Sequence, residues 1–202
     1  MIVIVNYGLG NVQAFVNVYQ RLSIPVRVAQ NANELSGADK IILPGVGAFD
    51  WAMKCLDESG MRFELENLVL NLKRPILGVC VGMQMMAKRS DEGSRPGLGW
   101  IDAEVKRFDE AQFQTKTHLP HMGWNDVVPI GESLFSNIES PLFYFLHSYY
   151  FSPAETTQSI ATTNYNGVFT SAVAKEHIYG VQFHPEKSHQ WGVQLLKNFA
   201  EL

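Results

Sequence analysis

The chain has 202 residues, 46% of them hydrophobic, enough for one well-buried domain, and a single domain over residues 1–202 is expected. A formal net charge of −4, with Lys and Arg in scattered pairs such as Lys73-Arg74 and Lys88-Arg89, argues against a partner that is nucleic acid or a membrane surface. Two cysteines, Cys55 and Cys80, stand outside any Cys-x-x-Cys spacing, which argues against a disulfide framework and a thiolate zinc site. No apolar run approaches the roughly 20 residues that span a bilayer. The first strand has no basic leader ahead of it, so a cytoplasmic chain is expected.

Ile2-Val3-Ile4-Val5 reads as a strand buried on both faces, and Tyr7-Gly8-Leu9-Gly10-Asn11 turns into a helix running to about Leu22. Gln13 stands where a dinucleotide loop would carry its third glycine, so a tight βα turn is the better reading. Pro25 to Ala29 gives a second strand, Asn31 to Leu35 a polar helical turn, and Lys40-Ile41-Ile42-Leu43 a third strand. Pro44-Gly45-Val46-Gly47-Ala48-Phe49-Asp50 follows, then two helical segments over Trp51 to Leu72. This alternation predicts an α/β fold, a doubly wound and mostly parallel sheet flanked by helices.

A fourth strand, Arg74-Pro75-Ile76-Leu77, leads into Gly78-Val79-Cys80-Val81-Gly82 and a helix opening at Met83-Gln84-Met85-Met86-Ala87. A cysteine at a sharp strand-to-helix turn between two glycines has the form of a nucleophile elbow, and a helix start favours a thiolate. The same pentapeptide suits a buried core cysteine equally well. Active sites of open α/β sheets lie at the carboxyl ends of strands, where the Gly45 to Gly47 loop and Cys80 both fall.

Beyond Trp100 the sequence turns strand-rich, with runs at Ile101 to Phe108, Asp126 to Val128, Leu142 to Phe151, Ser159 to Thr163, Val168 to Ala174 and His177 to Phe183. These predict antiparallel additions to the sheet. Leu142 to Phe151 reads as one central strand leading into a binding loop. The last run enters His184-Pro185-Glu186, and Ser188 is placed to cap a terminal helix. Period-two geometry puts His184 and Glu186 on one side of the chain, the orienting half of a nucleophile-base-acid triad, or else a surface pair at a strand end. His118 and His121 lack a third ligand at a supporting interval, so no metal site is expected. His147, His177 and His189 read the same way, and Met83, Met85 and Met86 read as core.

In this order, the Cys80 elbow, the Pro44 to Gly47 loop and His184-Pro185-Glu186 closely resemble the class I (triad) glutamine amidotransferases. Within them, Asn6 to Asn11, Leu43 to Phe49, Pro120 to Asn125, Tyr144 to Tyr150 and Gly180 to Ser188 are similar to the glutaminase subunits of imidazole glycerol phosphate synthases. The resemblance covers essentially the whole chain. Asn6 stands where the family more often has Asp, and Val81 where it more often has Leu; neither supplies a triad side chain.

The resemblance implies a Cys80, His184, Glu186 triad that hydrolyses glutamine through a glutamyl thioester without a cofactor. It implies an oxyanion site from Val81 and the Gly45, Val46, Gly47 loop, and glutamine held by Gly47, Gln84, Ser148 and Tyr149. It implies a (β/α)8 barrel cyclase as heterodimer partner, meeting Trp124, Tyr144 and Lys187. Leu98 to Asp102 and Ser188 to Gly192 are also similar to paralogues that supply ammonia for sugar amidation in bacterial surface-polysaccharide synthesis, which leaves the ammonia acceptor open.

Overall fold

The structure, a computed structural model, describes residues 1–131 and 133–202. Ile2–Val5 forms β1, with no side chain more than 2% exposed, as a β-branched run covered on both faces requires. The turn after it is the expected tight one: Gly8 and Gly10 take positive φ, and Asn11 Oδ1 accepts from the Ala14 N–H to start α1 (Val12–Arg21). Then come β2 (Val26–Ala29), α2 (Ala32–Leu35), β3 (Lys40–Leu43), α3 (Phe49–Glu58) and α4 (Arg62–Glu66), which runs on into a π-helical turn over Asn67–Asn71. The second half holds β4 (Ile76–Val79), α5 (Val81–Gln84), β5 (Arg89–Ser90), β6 (Ala103–Arg107), β7 (His121–Asp126), β8 (Val128–Pro129), β9 (Leu142–His147), β10 (Tyr149–Pro153), β11 (Ser159–Asn164), β12 (Val168–Lys175), β13 (Ile178–Val181) and α6 (His189–Glu201).

The main sheet has the order β2-β1-β3-β4-β13-β12-β10-β6-β5, with β11 and β8 attached through β12. Pairing is parallel from β2 to β13 and antiparallel from β13 to β6, the predicted parallel half with antiparallel additions. Right-handed crossovers put α1 on one face and α2 to α4 on the other. On the first face the buried Tyr19 hydroxyl of α1 donates to Leu196 O of α6 at 3.2 Å.

Four expectations need correction. The helix opening at Met83 is a single turn, Val81–Gln84, so a helix-dipole effect on Cys80 is slight. Leu142 to Phe151 is two strands broken at Ser148: β9 pairs with β7 in a separate two-stranded sheet, and β10 enters the main sheet. In β9, Phe143, Phe145 and His147 are buried and their neighbours half-buried, so its alternation is regular and it is no central strand. The ladder of β13 ends at Val181, and Pro185–Lys187 is a 3-10 turn, so a turn rather than strand periodicity joins His184 to Glu186. Ser188 makes no side-chain cap; its Oγ donates to His184 O at 2.6 Å and accepts from the Tyr144 N–H at 3.0 Å.

Candidate active site

At the end of β4 the chain bends sharply, and Cys80 takes φ 55° and ψ −113°. A left-handed non-glycine residue costs about 1–3 kcal/mol and persists only where its surroundings hold it. Here the Cys80 N–H donates to Val181 O at 2.8 Å and its carbonyl accepts from the Gln84 N–H at 3.1 Å. The glycines around it serve close packing more than access to the sulfur. A Cβ on Gly82 would run into the Leu43 carbonyl oxygen, and one on Gly45 would meet Gly82 N at 2.5 Å. Only residues without side chains let the β3 loop lie backbone to backbone on the elbow. Tyr7 fixes that loop from below, its buried hydroxyl donating to Pro44 O at 2.8 Å.

A cavity of about 340 Å3 opens over Cys80. Val46, Gly47, Val81, Gln84, Ser148 and Tyr149 line it, so most of the residues named from sequence converge there. Gly45 does not; it faces a neighbouring cavity of about 260 Å3 with His184, Glu186 and Lys187, and Val46 lines both. Gln84 is 2% exposed, which rules out an exposed polar residue of a helix surface. Its Nε2 donates to Tyr149 O at 3.2 Å and to Gln182 Oε1 at 2.9 Å.

His184 Nδ1 and Glu186 Oε1 are 2.9 Å apart, on side chains 5% and 3% exposed. Burial opposes a charge on His184, but Cys80 and Glu186 outweigh it and raise its pKa to about 10. His184 Nε2 is buried against Cys80 and has no other protein partner, while Cys80 Sγ lies 4.0 Å from Leu146 O and 3.7 Å from Gln182 Nε2. The His184 main chain is clamped to β9, its N–H donating to Tyr144 O at 2.8 Å.

Three residues that the motifs do not single out belong to this site. Glu92 brings a carboxylate to the Cys80 cavity, with Oε2 accepting from the Phe49 N–H at 2.9 Å. It comes from a loop without a local pattern, so nothing in the sequence marks it. Gln182 and Tyr7 lie inside stretches that carry the resemblance, and their burial was the missing signal. His121 and His147 form a buried pair, Nδ1 to Nε2 at 3.0 Å, and among the described residues no group of three His, Cys, Asp or Glu is placed to hold a metal ion. His147 Nδ1 donates on to Tyr149 O at 2.8 Å.

Trp124, Tyr144 and Lys187 do come together at the surface. Lys187 Nζ is 5.8 Å from the Tyr144 ring centroid and Trp124 is 6.1 Å from it, and His189 stacks on Trp124 at 5.1 Å. Among the described residues no helix is long and apolar enough to cross a membrane.

Residues 3–202 match the family model for glutamine amidotransferase class-I. The chain is 57% identical over 204 residues to the imidazole glycerol phosphate synthase subunit HisH of Bdellovibrio bacteriovorus, covering 100% of both. It is 44% identical, again over 100% of both, to the subunit HisH 2 of Pseudomonas aeruginosa. A crystal structure of a glutamine amidotransferase superposes with a TM-score of 0.75 over 99% of each chain at 19% identity, a likeness of fold. Matched over its whole length in both sequence and family model, the chain belongs to the class I glutamine amidotransferases and, within them, to the HisH subunits of imidazole glycerol phosphate synthase.

Proposed function

We propose that the chain works as one glutaminase domain whose nucleophile is Cys80, with His184 as its acid and base and Glu186 as the orienter of His184. The observation that carries this reading is the strained Cys80 at the floor of a glutamine-sized cavity, beside a buried His184–Glu186 pair at 2.9 Å. The Cys80 sulfur attacks the side-chain amide carbon of glutamine. As the tetrahedral intermediate collapses, the C–N bond breaks and the His184 proton goes to the leaving nitrogen, which departs as ammonia. The raised proton affinity of His184 suits that first step, since the base starts charged. Water, deprotonated by His184, then attacks the thioester, and its electron pair returns to sulfur as glutamate leaves.

The oxyanion is met by the N–H groups of Val81, Val46 and Gly47, each donor worth roughly 3 kcal/mol in such sites. Gly45 supports the loop by packing rather than by contact with the intermediate. Gly47, Ser148 and Tyr149 bind the substrate backbone, and Glu92 supplies the negative charge that its α-ammonium needs.

Ammonia is protonated and non-nucleophilic in water at neutral pH, so it must pass to its acceptor through a sealed junction. The partner in this reading is a (β/α)8 barrel cyclase, seated on the cluster of exposed Trp124 and Lys187 around the half-buried Tyr144. The pair makes imidazole glycerol phosphate and AICAR for histidine biosynthesis in the cytoplasm. A second reading changes only the acceptor, to sugar amidation for surface polysaccharide, on the likeness of Leu98 to Asp102 and Ser188 to Gly192 to such paralogues.

The test is incubation with a glutamine-analogue electrophile, then glutaminase assays of the wild type and Cys80→Ala with a barrel cyclase and with a sugar-amidating partner. The expected result is an adduct at Cys80, activity abolished in Cys80→Ala, and strong stimulation by the cyclase. Labelling elsewhere, or activity that survives Cys80→Ala, refutes the mechanism; stimulation by the sugar-amidating partner alone moves the chain to the second acceptor.

A further inference from the structure

Gln182 is 0% exposed and sits between Cys80 and Gln84, its own N–H tied to Ser171 O at 2.9 Å. Its orientation follows from one fixed point. The Tyr149 carbonyl oxygen can only accept, so the end of Gln84 that lies 3.2 Å from it is the amide nitrogen Nε2. The same NH2 group gives its second hydrogen to Gln182 Oε1 at 2.9 Å. With its oxygen committed there, Gln182 must turn its own NH2 toward Cys80, where Nε2 lies 3.7 Å from Sγ. His147 holds the same Tyr149 oxygen from the other side at 2.8 Å. A main-chain carbonyl at the start of β10 thus dictates, two amides away, that the sulfur faces a donor.

We propose that Gln182 is a further catalytic residue of the glutaminase, donating a hydrogen bond to the Cys80 sulfur in an orientation fixed by Gln84. This rests on Cys80 as the nucleophile. The donor strengthens as sulfur gains charge, so it favours the attacking thiolate and again the sulfur that receives the electron pair when the thioester C–S bond breaks. Preset by a carbonyl, it needs no reorganisation during the reaction. Gln84 has spent both Nε2 hydrogens, so only Oε1 remains for the substrate; it accepts from the α-ammonium and cannot donate to the carboxylate. Glutamine bound at Gln84 therefore presses on the same amide chain that ends at the sulfur.

The experiment follows carboxamidomethylation of Cys80 by iodoacetamide across pH, reading the Cys80 peptide by mass so that Cys55 is scored separately, together with glutaminase kinetics of the full chain. Gln182→Met keeps the length and removes the donor. The midpoint of its alkylation profile should move up by about one pH unit, and kcat should fall about tenfold with KM changed less than about threefold. Gln182→Glu, which faces the sulfur with a carboxylate, should move the midpoint further. Gln84→Met frees the Gln182 amide to rotate and should shift the midpoint in the same direction, so the measurement stands if Gln182→Met fails to give a cooperative thermal transition. An alkylation profile that superimposes on the wild type in whichever variants fold overturns the role of Gln182. Wild-type chain that takes no glutamine-analogue label at Cys80 overturns instead the nucleophile on which the role rests.

Discussion

Lowering the pH tests how the β7–β9 hairpin is tied to the site. Burial first, and then the neighbouring His121 and His184, push the His147 pKa down to about 3, against a smaller upward pull from the Tyr149 carbonyl. An unfolded histidine takes up its proton near pH 6.5. Between those values the unfolded chain binds a proton that the native chain does not, so the stability from neutral His147 is intact above about pH 6.5 and lost as the pH falls toward about 3. At about 1.4 kcal/mol per unit, His147 alone removes about 3 kcal/mol by about pH 4. That is a large part of the 5–15 kcal/mol, roughly, that holds an ordinary domain. The assay is urea unfolding of wild type and His147→Asn at steps from about pH 7 to about pH 4, with the free energy extrapolated to water. Carboxylates titrate in both proteins and cancel in the difference. The wild type should lose about 3 kcal/mol more than the variant over that range. Parallel lines would mean that His147 is already charged, or already solvated, in the native chain, and the bond that its neutral Nε2 accepts from His121 Nδ1 would fall with it.

Two substitutions test the contact between the β3 loop and the elbow. In Gly82→Ala the added Cβ meets backbone, the Leu43 carbonyl and Pro44 C at 3.3 Å, which cannot move like a side-chain tip. A loss of about 2 kcal/mol, or about 4–8 °C in Tm, is expected; a melt within about 1 °C of wild type would show that the loop yields freely. Tyr7→Phe removes the donor to Pro44 O and leaves a buried carbonyl unpaired. It should cost about 1–3 kcal/mol and lower kcat more than it raises KM, since in the proposed mechanism the loop carries the oxyanion donors; unchanged glutaminase kinetics would separate Tyr7 from the loop's function.

The fold and the residues of the proposed triad were legible because their signals are local. Ile2–Val5 and Ile76–Val79 are short apolar runs bounded by turn residues, and His184 and Glu186 sit two apart beside a proline. The alternation of strands and helices up to β4 leaves little choice of topology. What stayed hidden depends on contacts between distant segments. Ser148 has no breaker's sequence signature, yet the chain changes sheet there because β7 and β6 claim the two halves of one aromatic run. Ser188 looks like a cap, but its hydroxyl is taken by His184 O and the Tyr144 N–H, a demand set by β9 and invisible from the helix's own residues. Glu92 and Gln182 are ordinary polar residues until burial leaves each with a specific partner.

These tertiary contacts also explain how the proposed base is held firmly. His184 Nε2 lies buried against Cys80, and Glu186 Oε2 is buried without a protein hydrogen-bond partner. In the proposed mechanism the first belongs to the residue that moves the proton and the second to its orienter. The position of the ring is then secured elsewhere: Nδ1 by Glu186, the main-chain N–H by Tyr144 O, and the carbonyl by Ser188 Oγ. Tyr144 is at once the clamp on the His184 backbone and, through its ring, part of the exposed cluster with Trp124 and Lys187. The surface cluster and the proposed base are thus joined by one main-chain hydrogen bond, from the His184 N–H to Tyr144 O, and by the Ser188 hydroxyl, which bridges the Tyr144 N–H to the His184 carbonyl.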